Sequence, residues 1–138
     1  MDKNIYEIIL YDGVCNFCNK WVNFINKNDK KDNFRFLHLQ NPKAQSYLKS
    51  YNIDLNHGLN SIYIIKKDGK ILEKFLASTY AMKKCNYFFY ILYFLNYIIP
   101  KIILNFFYDL VGKYRYKIFG KTEKCIIPEG VDKKKFLN

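Results

Sequence analysis

Two cysteines three positions apart, Cys15 and Cys18, are the side chains of this sequence best suited to chemistry. They follow a short apolar run and the turn residues Asp12 and Gly13, and apolar residues at helical spacing come after them. A cysteine in the first helical turn meets unpaired backbone amides and the positive end of the helix dipole, which stabilise thiolate over thiol. Because the thiolate attacks disulfides, the pattern predicts a redox pair with Cys15 as nucleophile and Cys18 as resolving thiol.

Two other interpretations of the cysteine pair stay open. Cysteines at this spacing can form half of a zinc site, or both can simply pack in the core. The remaining cysteines, Cys85 and Cys125, are single and far apart, and neither His38 nor His57 has a ligand neighbour close in sequence. Since a second ligand pair is missing, we predict neither a metal nor another cofactor.

Asp12 precedes Cys15 by three positions and has two interpretations. A carboxylate there can shuttle protons to or from the thiols, although its charge disfavours a nearby thiolate. Asp before Gly is equally an ordinary turn or capping residue. We expect Gly13 to supply a backbone conformation that a side chain would forbid.

Three further residues could lie near the cysteine pair, but each is expected mainly to pack in the core. Trp21 lies one turn after Cys18, where a core position is favoured over the site. Cys85 begins an aromatic stretch and is interpreted as a small buried apolar residue. Packing is also favoured for Cys125, with a role as a third thiol near the pair as the alternative.

The elements that must position the pair run strand, helix, strand, helix, hairpin and helix. The predicted strands are 5–11, 34–39, 61–65 and 71–76, and the predicted helices are 15–25, one opening at Asn41-Pro42, 77–99, and one beginning near Pro100. The Asp-Gly turn within 67–70 requires an antiparallel pair late in the chain. This order predicts an α/β, thioredoxin-like fold: a mixed four-stranded sheet (β-α-β-α-β-β-α) with extra C-terminal helices.

The length of 138 residues fits one domain, with a core over 1–85, a helical part over 86–125 and a tail over 126–138. The apolar stretch 87–108 is interrupted by Asn96, Pro100, Lys101 and Asn105, so each piece is shorter than the ~20 residues of a spanning helix. We interpret it as a buried helix pair. Peripheral membrane contact is the alternative, because tyrosine, phenylalanine and lysine are dense there.

The formal net charge of +11 favours anionic partners. The lysines and arginines are spread along the chain, however, so a basic surface is the simpler interpretation and no nucleic-acid partner is expected. The N-terminal residues lack the basic-then-apolar pattern of a signal peptide. We therefore expect a cytoplasmic location, where a close cysteine pair is more often catalytic or metal-binding than structural.

In these residues the chain resembles the DCC family of thiol–disulfide oxidoreductases. The family motif Asp-x-x-Cys-x-x-Cys matches Asp12, Cys15 and Cys18. The segment 61–65 with its hairpin, and 114–121 with Cys125 and Pro128, resemble the family's middle and closing signatures. The resemblance implies a thioredoxin-like protein-disulfide oxidoreductase. The leading hypothesis, an oxidoreductase acting through Cys15 and Cys18, predicts a disulfide-bearing protein or small thiol as substrate and a cellular thiol reductant that resets the pair.

The sequence departs from thioredoxins proper at one place. They carry a cis-proline just before the third strand, whereas this chain reads Leu59-Asn60-Ser61-Ile62 there. Asn60 and Ser61, together with Gly13, are therefore the candidate substrate-loop residues. The competing class of function is a non-catalytic binding module. In it the basic, aromatic segment 113–121 would dock on a membrane surface or acidic partner, and the cysteine pair would sense redox state or bind zinc.

Overall fold

The computed structural model describes residues 6–12, 16–53 and 62–119 of the chain. The elements in chain order are β1 (Glu7–Tyr11), α1 (Asn16–Asn28), β2 (Phe34–His38), α2 (Pro42–Ser50), β3 (Tyr63–Ile65), β4 (Ile71–Glu73), α3 (Lys74–Cys85), a 3₁₀ turn (Tyr87–Phe89), α4 (Tyr90–Ile98) and α5 (Lys101–Phe119). The predicted order of strands and helices is confirmed.

The four strands form one mixed sheet in the order β2-β1-β3-β4. β1 runs parallel to β2 and antiparallel to β3, so Ile9 lies opposite both Phe36 and Ile64. β3 and β4 form the predicted antiparallel hairpin. Its turn is closed by the Lys66 amide donating to the Lys70 carbonyl at 2.8 Å, and Gly69 takes a φ of +88° that favours glycine. This arrangement confirms the thioredoxin-like fold.

Every residue of β1 is buried, because helices cover both faces of the sheet. Side chains alternate across a strand, so Ile9 and Tyr11 face one way and Ile8 and Leu10 the other. The first pair packs with the apolar faces of α1 and α3, which contribute Val22, Ile25, Ala77 and Ala81. The second pair packs with α2, which contributes Ala44 and Leu48.

The helix α1 continues to Asn28, so the predicted end near residue 25 is too early. The Asn28 side-chain amide donates to the Phe24 carbonyl at 2.7 Å and extends the last turn. The chain then turns around Asp29, a buried carboxylate that accepts the backbone amides of Asn33 and Phe34, both at 2.9 Å. These local hydrogen bonds set the entry into β2.

The predicted fourth strand 71–76 is also too long, since β4 ends at Glu73 and α3 begins at Lys74 rather than Ala77. Lys74 adopts a φ of +56°, a left-handed conformation that turns the chain directly from sheet into helix. Its backbone amide donates to the Ile62 carbonyl at 2.9 Å, and its ammonium lies 3.1 Å from the Asp109 carboxylate of α5. These contacts hold the unusual conformation.

The predicted continuous helix 77–99 is interrupted at Asn86. Asn86 has an extended backbone (φ −153°), and its side-chain oxygen accepts the Phe88 amide at 2.9 Å. An asparagine side chain of this kind caps the start of a new helical segment and thereby ends the previous one. The chain re-enters a helix through the 3₁₀ turn and α4.

The prediction of a buried helix pair for 87–108 is wrong. Both α4 and α5 pack against α3 through narrow contacts, such as the Asn96 amide donating to the Thr79 hydroxyl at 3.0 Å and the buried Leu104. Their other faces leave large apolar side chains in solvent, such as Tyr97 (71% exposed) on α4 and Ile102 (84%) on α5. Within the part of the chain that the structure describes, none of the helices combines the length and apolar character needed to cross a membrane.

A buried charge anchors the amino end of β1. Glu7 is 2% exposed, and its carboxylate accepts the Tyr80 hydroxyl at 2.9 Å and the Lys84 ammonium at 2.8 Å. Burial by itself lowers the pKa of Lys84, but the hydrogen bonds to Glu7 and Tyr80 outweigh it and leave that pKa raised. Burial and the Glu7 contact raise the pKa of Tyr80, so its hydroxyl stays a donor at neutral pH.

Replacing Lys84 with Met should lower the free energy of unfolding by about 1–3 kcal/mol, because it leaves the Glu7 carboxylate buried without its cation. Since the Lys84 pKa is raised in the folded state, this stabilisation is present below about pH 10.5 and is lost as the pH rises through the folded value. Urea unfolding of both proteins across that pH range measures the difference. Lys49→Met, on the exposed surface of α2, is the control and should change stability little.

Candidate functional site

The carboxyl end of β1 and the first turn of α1 bring two of the predicted site residues to one edge of the sheet. Asp12 directly follows β1, and Cys18 is the third residue of α1. Both are buried, at 2% and 1% exposed. Cys15 directly precedes the first residue of α1 and lies outside the described residues, as do Gly13, Asn60, Ser61 and Cys125.

The position of Cys18 follows from the apolar spacing of α1. Cys18, Val22 and Ile25 lie on one helix face, and all three are buried. The amides of a first helical turn have no partner one turn earlier, so they carry the partial positive charge of the helix end. The sulfur of Cys18 therefore sits where a helix favours negative charge, inside the protein.

A short polar chain fixes Asp12. The Gln40 side-chain amide donates to the Asp12 carboxylate at 2.8 Å. Gln40 also hydrogen-bonds the side chain of His38; burial lowers the pKa of His38, and the Gln40 contact opposes this only in part. The ends of β1 and β2 are held side by side by the Leu39 amide, which donates to the Tyr11 carbonyl at 2.7 Å.

The contact of Gln40 with Asp12 was not predicted from the sequence, although the sequence contains a signal for it. Two parallel strands end at the same edge of a sheet, so a polar residue just after the second strand lies close to one just after the first. Asp12 and Gln40 occupy these two positions. The same reasoning applied to the predicted strands 5–11 and 34–39 would have paired them.

An apolar cavity of about 480 Å³ lies beside Cys18. Its wall comes from three helices and the residue before β3, and it includes Trp21 of α1, Ile62, Met82 of α3 and Phe107 of α5. Trp21 packs against the core as predicted but also lines this cavity. Its indole nitrogen is buried and has no hydrogen-bond partner among the described residues. Because the indole nitrogen is closed to solvent-sized groups, the cavity offers an almost wholly apolar surface.

The helix α5 completes this cavity, and this role was not predicted from the sequence. Leu104 is buried against the rest of the protein, and the Tyr108 hydroxyl accepts the Ile62 backbone amide at 3.1 Å. Ile62 comes directly after the candidate substrate-loop residues Asn60 and Ser61. The spacing of Leu104, Tyr108 and Val111, which face the cavity from one side of α5, is a helical signal that could have revealed this contact.

Cys85 lies at the far end of α3 and packs against the core, as expected for a small apolar residue. Its sulfur is 3.8 Å from the Ile25 carbonyl and is only half-buried. Among residues 6–12, 16–53 and 62–119, no group of three His, Cys, Asp or Glu side chains is arranged to hold a metal ion.

The sheet order and the cysteine in the first turn of α1 define a thioredoxin-like protein. Residues 9–121 match the sequence profile of the DCC1-like thiol-disulfide oxidoreductase family, and the chain belongs to this family. The resemblance found from Asp12, Cys15 and Cys18 is thereby confirmed.

Two relatives support this membership. The Uncharacterized protein YuxK of Bacillus subtilis (strain 168) is 35% identical over 133 residues, covering 95% of this chain and 93% of the relative. The chloroplastic DCC family protein At1g52590 of Arabidopsis thaliana is 30% identical over 127 residues, covering 86% of this chain and 67% of the relative. No solved structure shows a significant match.

Replacing Gln40 with Glu should destabilise the protein by about 1–3 kcal/mol at neutral pH, because it turns a donor to the buried Asp12 carboxylate into a second carboxylate. Chemical unfolding of both proteins at neutral pH measures it. Gln45→Glu on α2 makes the same change away from Asp12, and an equal loss in both variants would contradict the assigned contact.

Proposed function

We propose that this protein catalyses thiol–disulfide exchange through Cys15 and Cys18. The observation that supports it most is the placement of Cys18, buried in the first turn of α1 beside an apolar cavity. Family membership supports the same chemistry. A structural cysteine needs neither a helix end nor an adjoining cavity.

The reaction takes place in two steps that conserve atoms and electrons. The Cys15 thiolate attacks one sulfur of a substrate disulfide, forming a mixed disulfide and releasing the other substrate sulfur as a thiolate. Cys18 then loses its proton and attacks the Cys15 sulfur, which releases the second substrate thiolate. The substrate gains two electrons, the pair becomes a disulfide, and two thiols of a cellular reductant reset it.

Asp12 is the proposed proton acceptor for Cys18 in the second step. Its carboxylate is held by Gln40 at the sheet edge where α1 begins, and burial there keeps bulk water away. A carboxylate positioned near a buried thiol can take its proton when the thiol attacks. Asp12, Cys15 and Cys18 lie at intervals of three in the sequence, so a segment of seven residues carries all the proposed reacting groups.

The apolar cavity is the proposed contact site for the substrate, because it begins at Cys18 and reaches the surface at Phe107 and Val111. Its lining suits apolar residues that flank the substrate disulfide.

Cys15→Ser should abolish disulfide reduction, because it removes the nucleophile, and Cys18→Ser should trap a mixed disulfide, because nothing resolves it. Reduction of a model protein disulfide, followed by mass analysis of non-reduced protein, measures both effects. Cys85→Ser is the matched control, since Cys85 lies at the far end of α3. It should keep activity within about twofold, in line with an independent site.

A redox titration of the same proteins in glutathione buffers tests the assignment directly. A two-electron transition should appear in the unmodified protein and in Cys85→Ser, and should vanish in Cys15→Ser and Cys18→Ser. Full activity in Cys15→Ser, or a pair that resists alkylation and releases zinc when unfolded, would overturn the proposal in favour of a metal-stabilised binding module.

Gly112 provides a test of the cavity that separates stability from binding. It lines the cavity within α5, and a Cβ added there meets nothing within 4 Å. Gly112→Ala should stabilise the helix by about 0.5–1 kcal/mol and leave exchange unchanged. Gly112→Phe should also fold but fill the cavity, and should lower kcat/KM about tenfold or more. Equal kcat/KM in the two variants would contradict substrate binding in the cavity.

A further inference from the structure

We propose that the 3₁₀ turn, α4 and α5 form a docking surface for an anionic membrane. The docking surface consists of the exposed apolar side chains of Tyr87–Phe89, Tyr90–Ile98 and Lys101–Phe119, and of the basic pocket that adjoins Tyr87 and Tyr90. Apolar side chains would enter the boundary between headgroups and acyl chains, and lysines would bind lipid phosphates. This inference does not require the redox chemistry, although Phe107 and Val111 also line the cavity beside Cys18.

The apolar part of the docking surface is ordered along both helices. On α4 the exposed residues recur at helical spacing: Tyr90, Ile91, Phe94, Tyr97 and Ile98. On α5 they do so again over almost the whole helix: Ile102, Ile103, Phe106, Phe107, Leu110, Val111, Tyr114 and Ile118. Soluble proteins rarely expose apolar side chains in such continuous rows, and rows of this kind mark a binding surface.

The basic part lies directly beside the apolar part. A pocket of about 570 Å³ is lined by Lys30, Lys31, Lys83 and Lys84, and Tyr87 and Tyr90 form part of the same wall. Lys30 and Lys31 are exposed, and neither makes an ion pair with a described residue. Lys84 is paired with Glu7 and Lys83 lies over the Tyr93 ring, so Lys30 and Lys31 are the ammonium groups offered to a ligand. Ammonium groups beside exposed aromatic rings match the chemistry of an acidic lipid headgroup, which brings phosphate and acyl chain together.

Charge and side-chain type favour a membrane over a second copy of the chain. Two copies with a formal net charge of +11 each repel one another, whereas an anionic surface attracts them. Tyrosine is preferred at the membrane interface, because its ring is apolar and its hydroxyl is polar. The exposed tyrosines Tyr87, Tyr90 and Tyr97 belong to this class, and Lys113 and Lys117 follow Leu110 along the exposed row of α5.

Co-sedimentation with vesicles tests the docking surface on the full chain. We expect binding to phosphatidylcholine vesicles that contain about 30% phosphatidylglycerol, weaker binding at high salt, and little binding to phosphatidylcholine alone. Failure to sediment with the anionic vesicles at near-physiological salt would overturn the proposal.

Paired variants separate the two parts of the docking surface. Lys30→Gln with Lys31→Gln should weaken binding on the order of tenfold, since each lysine near an anionic surface contributes. The control, Lys49→Gln with Lys67→Gln, removes the same charge from exposed positions outside the pocket and should weaken binding less than about threefold. An equal loss in both pairs would overturn the assignment of the pocket.

Ile98→Ser with Ile102→Ser tests the apolar part without changing charge. Both side chains are largely exposed, so the unfolding midpoint should stay the same, while vesicle binding should fall by at least about tenfold. Unchanged vesicle binding would overturn the role of this face. So would a dimer in light scattering that these substitutions dissociate, because the face would then be an interface between two copies.

Discussion

The burial of β1 on both faces is the constraint on which the rest of this structure depends. Ile9 and Tyr11 meet α1 and α3, while Ile8 and Leu10 meet α2, so a shift of one residue would exchange the two packed faces. That register delivers Asp12 to the edge where α1 begins and places Glu7 in its network with Tyr80 and Lys84. The two ends of one short strand thus hold the proposed reaction centre and the buried ion pair between Glu7 and Lys84.

Neighbouring residues in the sequence predicted the helices and strands, but contacts between residues distant in sequence determine where some of them begin and end. The helix opening at Asn41-Pro42 and the Asp68-Gly69 turn depend on neighbouring residues alone, and both were predicted from sequence. The short β4 was not, because the left-handed Lys74 is held by Ile62 and by Asp109 far along the chain. Gln40 and Tyr108 reach the site in the same way, through partners that the sequence does not bring near.

Hydrophobic composition predicted helices in the C-terminal part but not which side they bury. An apolar stretch has the same sequence pattern whether it faces a core, a partner or lipid. Whether it is buried depends on how much surface the rest of the domain provides to cover it. Here α3 provides only a narrow contact surface, against which Asn96 and Leu104 pack. Phe107 and Val111 belong both to the exposed row of α5 and to the cavity beside Cys18, so docking and substrate access would share one edge of the molecule.

The burial of Cys18 also bears on oxidative damage. Peroxide converts thiols to sulfinic and sulfonic acids in proportion to their thiolate character and their contact with water. The Cys18 sulfur is almost closed to solvent, whereas that of Cys85 is only half-buried. If Cys18 is the resolving thiol, as proposed, its burial would protect it under conditions that consume an exposed thiol. Its sulfur would then still be able to condense with an oxidised Cys15 before irreversible oxidation occurs.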